Sequence, residues 1–494
     1  MASAICLGES VESEARQTPN PDRFRLDASS VPDKVNRPMA ANIRLRGPAT
    51  LSAILSFLIG LAGCSSAPPR TPPPAKVAAE NRPAAVIVLP PSLTLVQPVR
   101  IFPVMLGIDV LESEGFAAIR GKRIGLLTHA AGVNRRGEST IDVLRHAPGV
   151  KLVALFAPEH GLYGTEEAGK LLPDGVDPRT GLPVYSLHGK IRKPTKAMLK
   201  GIDALVIDLQ DIGVRSYTYV SAMRYALEGC FENNVEAIVL DRPNPLGGLI
   251  VNGPSMDADL LSYVGAFRIP YVHGLTIGEL ARLAVAAPGL LAVPEAVRLK
   301  GRLVVVPMRG WRRSMRWSDT GLKFVGTSPF IQDFPACVGY AMSGLGCEIG
   351  GFTHGSGGLH PFIAFRGKTS EQLQKELDAL KLPGLAFRKA TMLDANKKPA
   401  AGVQVEVTNW AVWQPTDLSF YMMRLSCKWS GTNPFAKASA EKVSLFRKLV
   451  GSDDWWNALN HDGARVNVEG FLAIWHQRAQ IYQQQARRYW LYPE

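Results

Sequence analysis

The stretch "DALVIDLQDIGVRSYTYVSAMRYALEGCFENNVEAIVLD", Asp203 to Asp241, holds two short apolar runs around one long helical pattern. "DALVIDL" from Asp203 and "EAIVLD" from Glu236 lack the polar alternation of a half-exposed strand, so they predict strands buried on both faces. "SYTYVSAMRYALEGCFENN" between them predicts a helix. Strand, helix and second buried strand make a parallel crossover unit, whose helix covers one face of the sheet. The alternation extends toward the N-terminus. "RIGLLTH" from Arg123, "VKLVALF" from Val150 and "LPVYSL" from Leu182 predict strands, with "STIDVLRHA" as a helix. The expected fold class is α/β: a Rossmann-like parallel sheet with helices on both faces, over residues 104–326. A smaller α+β domain is expected over 327–494, with the capped helix "TSEQLQKELDALK", a strand "GVQVEVTNW" and a long amphipathic helix from Val468 to Tyr492.

The whole chain has 494 residues, 46% apolar and 20% charged, which is more than one ordinary core and typical of globular protein. Its net charge of +13 is scattered. The densest basic runs, "GKIRKPTKAMLK" from Gly189 and "GWRRSMRW" from Gly310, read as solvated faces. Scattered charge without a binding module gives no case for nucleic acid.

Upstream of residue 104 the composition changes. "MAANIRLRGPATLSAILSFLIGLAGCSS" from Met39 sets Arg44 and Arg46 before an apolar run of about a dozen residues, the layout of a secretory signal. That run is short of the ~20 residues a membrane-crossing helix needs. Leu61-Ala62-Gly63-Cys64 resembles a bacterial lipobox, which makes Cys64 the expected lipidation site and 39–64 the signal. Ser65 after the cysteine points to the outer membrane, facing the periplasm, and hence to a cell-envelope location. Residues 1–38 are polar, do not fit ahead of a signal, and read as a misassigned or disordered extension. Residues 65–103 are proline-rich, a stiff tether reaching on the order of 100 Å at ~3.1 Å per residue.

No GxGxxG, Walker A or HExxH sequence is present, and Cys230, Cys337, Cys347 and Cys427 have no zinc spacing, so no cofactor or metal fingerprint is found. "THGSGG" around Ser356 lacks the first glycine of a nucleophile elbow. Each predicted strand does end in polar residues. Glu159 and His160 follow the second, Asp208, Gln210 and Asp211 the fourth, and Asp241, Arg242 and Asn244 the fifth. His273 and Glu348 come later. In a doubly wound sheet these tips share one crevice. Asp241 and Asn244 also suit helix caps or turns, Tyr217 and Tyr219 suit packing at a helix start, and Arg215 suits either Asp211 or a substrate. Glu159 is harder to explain away, because glutamate caps helices poorly.

Six segments in order, "GKRIGLLTHAAGVNRRGESTIDVL", "LVALFAPEHGLYG", "TGLPVYSLHGKIRKPT", "DLQDIGVRSYTYVSAMRYALE", "VLDRPNPLGG" and "GPSMD", resemble the exo-β-N-acetylmuramidases of the NamZ type. The resemblance runs from about Gly107 to the closing "RRYWLY". It implies a glycoside hydrolase working in the cleft between two domains, releasing N-acetylmuramic acid from the non-reducing end of peptidoglycan fragments. It implies neither cofactor nor metal, and it also implies roles. Glu159 is the general acid/base, with His160 tuning it or binding sugar, and the second carboxylate is Asp211, Asp241 or Glu348. Arg215 or Arg242 is expected to meet the lactyl carboxylate, and Tyr217, Tyr219, Asn244, His273 and His354 to bind the sugar. The loop from Cys347 to Phe362 departs from the family: Gly351, His354, Ser356 and His360 replace an asparagine, a glutamate and two arginines. That departure keeps open a non-catalytic envelope lipoprotein that binds cell-wall glycans, and, more remotely, an exported hydrolase using Ser356.

Overall fold

The computed structural model describes residues 104–167, 169–353, 361–393 and 399–494. The signal, Cys64, the tether, His354, Ser356 and His360 lie outside the described residues. Seven strands form the main sheet: β1 (Arg123–Thr128), β2 (Lys151–Ala157), β3 (Gly175–Val176), β4 (Pro183–Ser186), β5 (Ala204–Asp208), β6 (Glu236–Leu240) and, after a separate ribbon of β7 (Asn252–Ser255) and β8 (Pro270–Val272), β9 (Leu303–Val306). Their order is β3-β4-β2-β1-β5-β6-β9, and every neighbouring pair is parallel except β3-β4. The chain thus starts in the middle, winds outward to β4, then crosses to β5 and winds the other way. Between β1 and β5 lies the switch point, where the crevice of such folds opens at the carboxyl ends of the strands.

Alternate strand residues explain the layers. Ile124, Leu126, Ala204, Val206, Ile238 and Leu240 enter one core with α1 (Gly107–Ser113) and α2 (Thr140–Arg145). Leu127, Leu205, Ile207, Ala237 and Val239 enter the other, with α3 (Thr218–Glu232) and α4 (Ile277–Ala286). The two-residue repeat of a strand sends neighbours to opposite faces, so helices cover both.

Beyond α5 (Glu295–Lys300) and β9, the second core continues without a break into the C-terminal part, through Phe420, Trp455 and Trp475. That part carries α6 (Phe334–Ser343), α7 (Cys347–Gly350), α8 (Ser370–Asp378), α9 (Asp417–Trp429), α10 (Ala440–Val450), α11 (Asp453–Asp462) and α12 (Val468–Ala486). A three-stranded antiparallel sheet accompanies them, in the order β10 (Phe362–Ile363), β12 (Pro399–Val407), β11 (Leu385–Leu393). The start of α8 is the capping box its sequence predicts: Thr369 and Gln372 exchange side-chain and main-chain hydrogen bonds.

Two expectations need correcting. The last helix stops at Ala486 rather than Tyr492. Beyond it, Arg282 takes the carbonyls of Tyr489 and Trp490 at 2.9 and 3.2 Å, and the Tyr492 hydroxyl binds Asp241 and the Met308 N–H. A continued helix would forfeit these contacts. The basic run at Gly310 is not a solvated face either. Arg313 is sealed inside, 2.6 Å from Glu279 and stacked 3.9 Å over Trp490. The described cysteines are free thiols, Cys230, Cys337 and Cys427 buried and Cys347 half-buried.

Candidate active site

The turn after β2 is built by two successive residues in the left-handed region, His160 at φ 70° and Gly161 at φ 75°. For histidine this conformation costs about 1 kcal/mol or more. The turn holds His160 in place, with its Nδ1 2.9 Å from the Glu166 carbonyl. It leaves the Glu159 carboxylate facing the first turn of α3. Thr218, the first residue of that helix, donates to Glu159 Oε2 at 2.8 Å, and the Gly169 N–H donates to Oε1 at 3.2 Å. The side chain of Glu159 keeps 12% exposure. A carboxylate at a helix N-terminus also gains from the aligned peptide dipoles.

His188 completes this corner. Its Nε2 lies 4.0 Å from Glu159 Oε1. Burial lowers its proton affinity; the Glu159 charge opposes this, and Arg192 and His160 add to it, leaving a neutral imidazole at pH 7. The sequence reading passed over it. The rule that selected Glu159, polar residues at strand tips, applies equally to "SLHG" after β4.

Tyr219 and Tyr217 support this corner from behind. The Tyr219 hydroxyl reaches the carbonyls of Glu159 (3.3 Å) and Thr327 (2.6 Å), and Tyr217 donates to Thr327 Oγ1 at 2.6 Å. Both are buried, and their hydroxyls are spent on Thr327, so they brace the site rather than grip a sugar. His129 lies under Tyr219, ring centroids 4.5 Å apart, and accepts the Gln210 N–H at Nε2.

Most other expected ligand-binding residues prove to be joined to one another. Arg242 forms a sealed two-pronged pair with Asp208 at 2.6 and 2.8 Å and also donates to the Val133 carbonyl. Arg215, fully buried, gives its Nη atoms to the carbonyls of Pro254, Ile269, Leu449 and Val450, and does not pair with Asp211. Neither arginine presents itself to a carboxylate ligand. Asp241 accepts from Arg242 N, Gly278 N, Thr276 Oγ1 and Tyr492. Asn244 accepts Leu246 N and donates to the Leu275 carbonyl, an Asx turn. Asp241, Arg242 and Asn244 are corrected from binding to structural roles, because their buried polar groups are satisfied by the protein itself. Arg215 takes a structural role through its four main-chain carbonyls, although its Nε finds no partner among the described residues.

Asp211 and His273 form a second, buried pair, Oδ2 to Nε2 3.3 Å, off the hydrogen-bond direction. Gly213 N donates to Asp211 Oδ2 at 2.8 Å, while Asp211 Oδ1 has no partner among the described residues. Among the described residues no hydrogen bond or ion pair joins this pair to the Glu159 corner. Glu348 is the second residue of α7, half-buried beside Cys347, whose thiol burial and then the Glu348 charge push up to about 12. A fixed carboxyl group with two donors and a neutral imidazole is equipped to give and take a proton at a bound substrate.

This fold has counterparts. Family models for the N-terminal and C-terminal parts of the exo-β-N-acetylmuramidase NamZ match residues 124–335 and 338–492. The chain is 41% identical over 312 residues to the peptidoglycan β-N-acetylmuramidase NamZ of Bacillus subtilis strain 168, covering 62% of this chain and 73% of that protein. A crystal structure of a DUF1343 family protein from Bacteroides fragilis is 37% identical with a TM-score of 0.71, covering 79% of this chain and 99% of its own. A second from the same organism shares the fold, at 21% identity and TM-score 0.60, covering 80% and 100%. With both halves matched in order, this chain belongs to the NamZ family of exo-β-N-acetylmuramidases.

Proposed function

We propose that this protein is a glycoside hydrolase that releases N-acetylmuramic acid from the non-reducing end of peptidoglycan fragments, with Glu159 as its general acid/base. The observation that carries the reading is the Glu159 carboxylate, held at a strand tip by Thr218 and Gly169 with His188 alongside. Cleaving a glycosidic bond needs one carboxyl group to protonate the leaving oxygen and a second group to meet the positive charge at the anomeric carbon. Glu159 takes the first task. Asp211 and Glu348 are the acids left for the second, since four donors occupy Asp241. The relative of stated activity, from Bacillus subtilis, supports the same substrate class.

Incubation of the protein with a disaccharide of N-acetylmuramic acid linked to N-acetylglucosamine is expected to release free N-acetylmuramic acid, read by mass spectrometry. Saturable binding with no sugar released would select the non-catalytic glycan-binding reading instead.

The signal-like segment supports an exported protein lipidated at Cys64 on the outer membrane, its tether extending the enzyme toward the cell wall. A Cys64→Ser variant is expected to move from the membrane fraction to the soluble envelope fraction. Unchanged membrane partition would reject the anchor.

A further inference from the structure

With Arg215 and Arg242 sealed, the site still needs a cation for an anionic sugar, and one stands next to His188 and Tyr263. Arg192 has no ion pair and no hydrogen bond among the described residues. Its neighbour Lys193 is paired with Glu232, but Arg192 lies 4.5 Å over the face of Tyr263, with its Nε buried and unpartnered. Two further orphaned polar atoms share the spot. His188 Nδ1 and the Tyr263 hydroxyl are buried without partners among the described residues, and the two rings lie 6.3 Å apart. The charges of Glu159 and Arg192 both act on His188 and Tyr263, and the imidazole lies 4.0 Å from the carboxylate assigned to proton transfer.

Three unsatisfied polar groups in one place call for an explanation, since buried polar groups are nearly always paired. As placed, none of the three pairs with another, and no carboxylate lies within ion-pair distance of the guanidinium among the described residues. Tyr263 is fixed from below: its carbonyl accepts from Ser221 of α3 at 2.6 Å, and its ring stacks on Tyr225. The platform is therefore rigid, and the guanidinium above it is a planar fork suited to a carboxylate.

We propose that Arg192, with His188 Nδ1 and the Tyr263 hydroxyl, forms the subsite for the carboxylate of the substrate's lactyl ether. This rests on the muramidase reading. The subsite holds the sugar by the group that distinguishes N-acetylmuramic acid from N-acetylglucosamine and sets its glycosidic oxygen toward Glu159. Arg192 is thus a specificity residue, and the basic run "GKIRKPTKAMLK" is in part a binding loop rather than a solvated face.

The test compares ligands and variants. By titration calorimetry, the native protein is expected to bind N-acetylmuramic acid about 10–100-fold more tightly than its methyl ester, the value of a charge-assisted contact. Arg192→Met is expected to raise KM for a 4-nitrophenyl N-acetylmuramic acid glycoside by a similar factor, and to erase the acid-over-ester preference. Arg192→Lys should restore part of both. Equal native affinity for acid and ester, or an Arg192→Met variant of native KM and preference, overturns the subsite. The ester comparison needs no variant, so misfolding of Arg192→Met cannot shield the proposal. A native protein that binds the acid selectively yet releases no sugar would refute the hydrolase reading and leave the subsite standing.

Discussion

Glu159 depends on one hydroxyl more than on any other group. Thr218 Oγ1 holds Glu159 Oε2 at 2.8 Å, and a proton donor must sit within hydrogen-bond reach of the bond it breaks. Thr218→Val keeps the shape and removes the donor. We expect kcat/KM to fall about tenfold or more, as small misplacements of catalytic groups do, with Thr218→Ser close to native. Steady-state kinetics of the three proteins checks this, and native kinetics in the valine variant would contradict it. Glu159 and His160 stood out in the sequence because a strand tip ending in an acid and a histidine has no good capping explanation. Arg215, Asp241, Arg242 and Asn244 stood near similar tips; the turn reading of Asn244 is borne out, while the partners of the other three could not be read there. A sequence places a polar residue at a tip, but whether a partner 30 or 200 positions away satisfies it is decided only when the chain folds. Arg215 meets Val450, and Asp241 meets Tyr492.

Among the elements, the parallel strands were read to within about a residue because burial on both faces leaves long apolar runs. β9, "LVVV", carried the same signal and was passed over. β7, "NGPS", carried none, since its pairing with β8 comes from tertiary contact rather than propensity. The tip of β6 shows how such elements lock together. Gly278, the second residue of α4, comes so close to Asp241 that an added Cβ would lie 2.6 Å from its carboxyl carbon. Burial raises the Asp241 carboxyl from 3.8 to about 6, against the hydrogen bonds from Tyr492 and Thr276. Folding thus favours the protonated form: this stabilisation is complete below 3.8 and is lost as pH rises through about 6. The two values correspond to about 3 kcal/mol at most. The native protein should lose up to that amount relative to Asp241→Asn, whose side chain does not titrate, between about pH 4 and 6. Urea unfolding across that range measures it, and a pH-independent difference would contradict it.

For the whole molecule, the doubly wound order explains why residues from separate segments meet. β2 and β4 on one side of the switch point bring Glu159 and His188, α3 from the other side brings Thr218, and Thr327 ties the two tyrosines behind them. The C-terminal tail returns across the molecule to anchor on β6 through Tyr492. The central claim is that this shared corner performs acid catalysis on a muramic acid glycoside. Its most direct test is kcat/KM of Glu159→Gln against the native enzyme on two substrates, the natural disaccharide and the 4-nitrophenyl glycoside. We predict a loss of about 10²–10⁴ on the disaccharide and a clearly smaller one on the nitrophenyl substrate, whose leaving group needs little protonation. Native turnover of the disaccharide by Glu159→Gln would contradict the account.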